Sequence, residues 1–216
     1  MVGTVKRLAA SLLATFLCAC GQSTSTPSPS PVGVDQWTIF GGGTGANPPR
    51  IAPDSSGRWG FTFPTPNKSV NYVITKPSAV PQAGQTMTLN FSIDGNAVLV
   101  PVPETACGAQ GCGQAAIRMI VWRSGDNLSC AGAYVSYRLF SPDNFKLVTG
   151  DNQMFSEVLD PNKWINCYGS TDPAGFSATL SNIGYYGFMF GAMFAGHGVW
   201  AQSGTSTFKI NAFAIK

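Results

Sequence analysis

Gln85-Thr-Met-Thr-Leu-Asn-Phe-Ser-Ile93 alternates strictly between apolar and polar residues. Met87, Leu89, Phe91 and Ile93 fall on one side of an extended chain, and Thr86, Thr88, Asn90 and Ser92 on the other. Successive strand side chains point to opposite faces, so this run predicts a half-buried antiparallel strand. Asp94-Gly95 follows, then Ala97-Val-Leu-Val100, which reads as a hairpin returning on the first strand. Further strand candidates are 36–40, 58–63, 69–75, 116–122, 133–140, 145–148, 153–159, 183–190 and 205–215, with Pro and Gly clustered between them. Helical signals are few. Asp160-Pro161 offers a capping Asp before a Pro at the first helical position, and 174–181 suits a brief helix. Many short strands separated by turn residues predict an all-β fold, a two-sheet antiparallel jelly-roll-like sandwich with short helical turns.

Composition excludes several classes. Of 216 residues, 11% are charged, against about 25% in an ordinary soluble domain. Aromatic residues make up 12%, so disorder driven by charge does not fit. No Lys/Arg cluster exists to follow phosphates, and no nucleic-acid partner is expected. After the first twenty residues no apolar run approaches the ~20 residues of a spanning helix.

The N-terminus reads as a targeting segment. Lys6 and Arg7 precede an apolar stretch over 8–17, a length that suits a signal peptide rather than a membrane span. Leu17-Cys18-Ala19-Cys20-Gly21 then matches a bacterial lipobox, with Cys20 as the lipidated residue and Cys18 as the alternative. The competing reading is an ordinary secretory signal with incidental cysteines. Residues 1–19 are thus the expected lipoprotein signal peptide. Residues 20–34 are the lipidated Cys and a Ser/Thr/Pro-rich tether, and 35–216 are the β-sandwich domain. Several acyl chains, each CH₂ adding about 0.8 kcal/mol, would hold the protein on a bilayer. Gly21 rather than Asp after Cys20 favours the bacterial outer membrane, by similarity to proteobacterial sorting. Loss of Lys6 and Arg7 with the leader lowers the formal +3 charge to +1, so charge does not point to an acidic partner.

Four further cysteines remain: Cys107, Cys112, Cys130 and Cys167. An even number in an exported chain predicts disulfides, and three pairings are open. Cys107–Cys112 and Cys130–Cys167 are the preferred pair, the second closing the longer loop. Zinc is the rival, but its C-x₂₋₄-C spacing is missing and His197 is the only histidine. No metal is expected, except that Asp151-Asn152 would offer loop oxygens to a structural Ca²⁺.

Val121-Trp-Arg-Ser-Gly-Asp126 and Tyr134-Val-Ser-Tyr-Arg138 lead into Leu159-Asp-Pro-Asn-Lys-Trp164. Ile183-Gly-Tyr-Tyr-Gly-Phe-Met-Phe-Gly191 and Gly196-His-Gly-Val199 precede the last strand. Together with Gly60-Phe-Thr-Phe-Pro64 and Val70-Asn-Tyr-Val73, they resemble a group of uncharacterised bacterial secreted and lipoprotein β-sandwiches with an RxGD…YxxYR…GHGV pattern. That group is distantly similar to carbohydrate-binding-module jelly rolls. The resemblance covers most of 36–216 and implies a fold and an exported location rather than a reaction. The chain departs from the pattern at Leu139-Phe140, where Trp is usual, and at Ala192-Met193, where Gly-rich sequence is usual.

A catalytic constellation is hard to assemble. Glycoside hydrolysis needs two carboxyl groups across the scissile bond. Most acids here sit in turn contexts such as Asp94-Gly95, Asp126-Asn127 and Asp172-Pro173. Glu104 and Glu157 are the exceptions, and no spacing pairs them. His197 lies in a Gly-His-Gly turn, and no Gly-x-Ser-x-Gly elbow accompanies it. Gly41-Gly-Gly-Thr-Gly45 lacks the Lys of a phosphate loop.

A binding site is easier to imagine. Sugars bind on aromatic faces flanked by a few fixed polar groups. On 116–122, Arg118, Ile120 and Trp122 alternate onto one face; on 133–140, Tyr134, Ser136, Arg138 and Phe140 do so. Arg118, Trp122, Tyr134 and Arg138 would together form an exposed floor, with Trp59 beside Arg58 as a further candidate. The competing reading makes Arg138 a brace for Asp126 and Trp122 a core residue. The expectation is a membrane-anchored lipoprotein that binds carbohydrate or another envelope ligand without catalysis. The alternatives are a structural or protein-interaction lipoprotein and a polysaccharide-active enzyme.

Overall fold

A computed structural model describes residues 36–43, 47–65, 68–102, 114–192 and 198–216. In chain order the strands are β1 (Trp37–Gly43), β2 (Arg50–Ile51), β3 (Trp59–Thr62), β4 (Lys68–Thr75), β5 (Thr86–Gly95), β6 (Val98–Pro101) and β7 (Ala116–Arg123). A 3₁₀ turn over Gly132–Ser136 precedes β8 (Arg138–Phe140), β9 (Phe145–Lys146) and β10 (Gly150–Val158). Helix α1 (Pro173–Ser181) leads into β11 (Ile183–Gly191), β12 (Val199–Ser203) and β13 (Ser206–Ile215). Two antiparallel sheets result. The larger runs β6-β12-β4-β11-β7-β8, with β1 also on β4 and β9 also on β7; the smaller runs β10-β5-β13-β3-β2. The all-β two-sheet sandwich is therefore the architecture of the chain.

The alternation of 85–93 does what its period requires. Met87, Leu89, Phe91 and Ile93 are buried between the sheets. The centre of the core is a phenylalanine cluster. Phe91 and Phe61 each stack on Phe208 at 5.0 and 5.5 Å, and Phe190 meets Phe208 edge-on at 5.2 Å. Offset and edge-to-face rings of this kind add about 0.5–1.5 kcal/mol per pair beyond the burial itself.

The Asp94-Gly95 hairpin does not form. β5 lies in the five-stranded sheet between β10 and β13, whereas β6 lies in the other sheet on β12. Gly95 has φ +107°, and a Cβ there would stand 2.1 Å from the Thr205 carbonyl oxygen. The Asn96 N–H donates to that same carbonyl, and the Ala97 N–H donates to Ser206 Oγ. The turn is thus docked on the β12–β13 turn, and the chain crosses from one sheet to the other instead of folding back.

Residues 133–140 do not form one strand either. Gly132, at φ +57°, starts a 3₁₀ turn in which Tyr134 N–H donates to Ala131 O and Tyr137 N–H to Tyr134 O. Only 138–140 pair, with Trp122, Val121 and Ile120 of β7. The period-2 grouping of Tyr134 with Arg138 fails, because a 3₁₀ turn rotates side chains by about a third of a revolution per residue. At Asp160-Pro161 the Asp caps a turn, not a helix: its carboxylate accepts from Asn162 N–H. The same dipeptide at Asp172-Pro173 does start α1, where Asp172 accepts from Gly175 N–H at 2.9 Å.

Candidate functional site

The outward face of the larger sheet carries a second apolar cluster. Ile74 of β4, Ile120 of β7, Phe140 of β8 and Met189 of β11 are buried there, with Ile165 and Cys167 packed against them. Trp122 lies among them and is itself nearly closed to solvent. Around its indole stand three more rings: Tyr72 at 5.3 Å, Tyr185 at 5.9 Å and Phe40 at 6.5 Å. Tyr72 and Tyr185 are half-buried, and Phe40 is 38% exposed. A bulge decides that Tyr72 faces this way. Phe40 pairs with Tyr72 but Gly41 pairs with Val70, so Asn71 is an extra residue that shifts the alternation of β4.

Arg138 is the polar centre beneath these rings. Its Nε lies 2.8 Å from Asp126 Oδ2, and both side chains are almost fully closed. Its other nitrogens donate to the Leu128 carbonyl at 2.7 Å and to the Tyr72 hydroxyl at 3.2 Å, and contact Cys130 Sγ at 3.3 Å. The guanidinium carbon is 5.7 Å from the Trp122 ring. Cys130 is disulfide-bonded to Cys167, which ties the 126–130 loop to the segment covering the sheet. Arg138 therefore braces Asp126 and at the same time orients Tyr72.

The other residues singled out from sequence are dispersed. Trp59 is in the main core, 5.7 Å from Trp37. Tyr134 is half-buried and packs against Tyr137 with the rings tilted, centroids 4.8 Å apart. Arg118 is buried at the far end of β7 and donates to the carbonyls of Ser141 and Pro142. Burial pulls its pKa below the ordinary value, while Asp143 and Glu157 oppose that. The exposed floor of Arg118, Trp122, Tyr134 and Arg138 does not exist: Arg118, Trp122 and Arg138 are buried, and Tyr134 belongs to a separate group.

Glu157 is buried on β10, and burial, reinforced by the nearby Asp143, pushes its pKa up to about 7 against the pull of Arg118. It is thus about half-protonated at neutrality, with Asp143 beside it, and it is closed to solvent. Glu104, Cys107, Cys112, His197 and the lipobox with Cys20 lie outside the described residues. Among the described residues no group of three His, Cys, Asp or Glu side chains is arranged to hold a metal. Asn152 is committed elsewhere: its N–H donates to Ser92 Oγ and its side-chain oxygen accepts from Asn211.

Phe40, Tyr72 and Tyr185 were not among the residues that sequence reasoning selects. Tyr72 and Tyr185 sit in quoted motifs, but only the sheet order brings them to Trp122. No family model matches this chain, and no curated protein or solved structure matches it.

Proposed function

We propose that the chain is a membrane-anchored lipoprotein whose β-sandwich binds carbohydrate without catalysis, through the ring cluster of Phe40, Tyr72 and Tyr185 over Trp122. The observation that carries this reading is the Arg138–Tyr72 hydrogen bond. A buried, ion-paired guanidinium holds a half-exposed tyrosine in one orientation. Aromatic faces recognise sugar C–H patches, and a ring already fixed loses little further entropy on binding. The distant similarity of the motifs to carbohydrate-binding jelly rolls agrees with this. Membrane attachment rests on the lipobox, with Cys20 lipidated.

A glycan array probed with the full chain tests the binding. The expected result is a saccharide signal that Tyr72→Ala and Tyr185→Ala each lower at least tenfold while near-ultraviolet circular dichroism stays native. A folded chain with no saccharide signal overturns it. Cys20→Ala is expected to release the protein from the membrane fraction, and retention there would remove the anchor from the reading.

A second reading has its own observation. Met154 and Val158 are 65% and 48% exposed on β10, the terminal strand of the smaller sheet. Exposed apolar residues on an edge strand suit a protein partner. Cross-linking in the cell envelope that depends on Met154 would favour that reading.

A further inference from the structure

Arg123, the last residue of β7, sits next in sequence to Trp122 but is used differently from Arg58, Arg118 and Arg138. Arg58 pairs with Asp54, Arg138 with Asp126, and Arg118 with two carbonyls. The half-buried Arg123 guanidinium instead lies 4.6 Å from the centroid of the Tyr137 ring. Its Nε is closed to solvent and has no hydrogen-bond partner, and no ion pair reaches it among the described residues. Tyr137 in turn packs at a tilt against Tyr134, centroids 4.8 Å apart, and both residues are half-buried. Asp126, three residues along, is committed to Arg138.

An Nε closed to solvent without a partner leaves this guanidinium incompletely satisfied, and its planar fork suits a carboxylate in a bidentate pair. The ring beneath attracts the cation through its quadrupole and so holds it in place. The two tyrosines beside it offer apolar faces to the sugar ring that would carry such a carboxylate. Resting on the carbohydrate-binding reading, we infer that Arg123, Tyr134 and Tyr137, a group separate from the rings around Trp122, form a second, carboxylate-binding site and that the saccharide bound there is an acidic one containing uronic acid.

The test is titration of the full-length chain with hexagalacturonate, its fully methyl-esterified form and a hexaglutamate peptide. The expected result is at least tenfold tighter binding of the acid than of the ester or the peptide. Arg123→Gln should bring the acid down to the level of the ester, and Arg123→Lys should restore only part of the difference, since a point charge lacks the fork. Equal affinity for acid and ester overturns the subsite and leaves the carbohydrate reading standing. No binding of either saccharide overturns both. Equal binding of hexaglutamate overturns the saccharide class, and an Arg123→Gln variant that weakens acid and ester alike makes Arg123 structural. If Arg123→Gln does not fold, Tyr134→Ala replaces it: a half-buried ring on a surface turn whose loss should lower acid binding at least threefold, and unchanged binding overturns the proposal.

Discussion

The Arg138 guanidinium and the Asp126 carboxylate stand 2.8 Å apart, with side-chain exposures of 7% and 0%. This pair joins three things: the turn after β7, the tyrosine on β4 and the disulfide-tied loop. Removing one member of a closed ion pair strands the other charge, at a cost of about 3–5 kcal/mol. Arg138→Met should lower the urea midpoint accordingly. Arg138→Met with Asp126→Asn should recover part of the loss, because the stranded carboxylate is gone. If both unfold alike, the pair is not the unit that matters.

The disulfide is a second brace on the same loop. Cys130 and Cys167 are 37 residues apart in sequence. Closing a loop of that size removes about 4 kcal/mol of unfolded-state entropy. Cys130→Ala with Cys167→Ala should lower the thermal midpoint by several degrees. An unchanged midpoint would show that this link adds nothing to the stability of the fold.

Glu157 predicts a pH dependence of definite sign. Its folded pKa is raised from 4.5 to about 7, so the folded state binds the proton more tightly than the unfolded chain. Stability should therefore fall as pH rises from about 4.5 to about 7 and then level off. A pKa raised by that much corresponds to a fall on the order of 3 kcal/mol. Glu157→Gln should flatten that fall and be the more stable protein at pH 8, by chemical denaturation across the pH range. A wild-type curve that rises through this window would contradict the assignment.

Asp172 behaves in the opposite sense. Hydrogen bonds from Ser136 and from the Gly175 N–H hold its carboxyl below the ordinary carboxylate range. Its stabilisation is present above the unfolded pKa and is lost as pH falls through the folded one. Asp172→Ala should cost about 1 kcal/mol at neutral pH, the usual value of a helix N-cap, and less at low pH. A pH-independent loss would mean that the capping hydrogen bond contributes nothing.

Much of the site was out of reach of sequence reading for a local reason in each case. The alternating run 116–122 groups Trp122 with Arg118, yet Trp122 is buried in a cluster with Phe140 and Ile165, and Arg118 is closed where it donates to the Ser141 and Pro142 carbonyls. Tyr134 was misplaced because a positive-φ glycine converts 132–136 into a 3₁₀ turn, and nothing in an alternation count reveals that. Tyr72 depends on a one-residue bulge, which inverts every outward assignment on its side of the strand. Asp160-Pro161 and Asp172-Pro173 carry the same capping signal, but a helix followed only the second. There Phe176 and Leu180 find a core to bury in.

By itself the sequence determined the all-β class, the buried face of β5 and the cysteine count from which one pairing, Cys130–Cys167, follows in the structure. These are matters of period, composition and short-range chemistry, which a chain carries locally. Tertiary structure alone decided that β5 and β6 part to different sheets, that Arg138 is closed on Asp126, and that Phe40, Tyr72 and Tyr185 gather around Trp122. Those depend on which distant strands become neighbours, and strand order is set by the burial of whole faces at once rather than by any one segment.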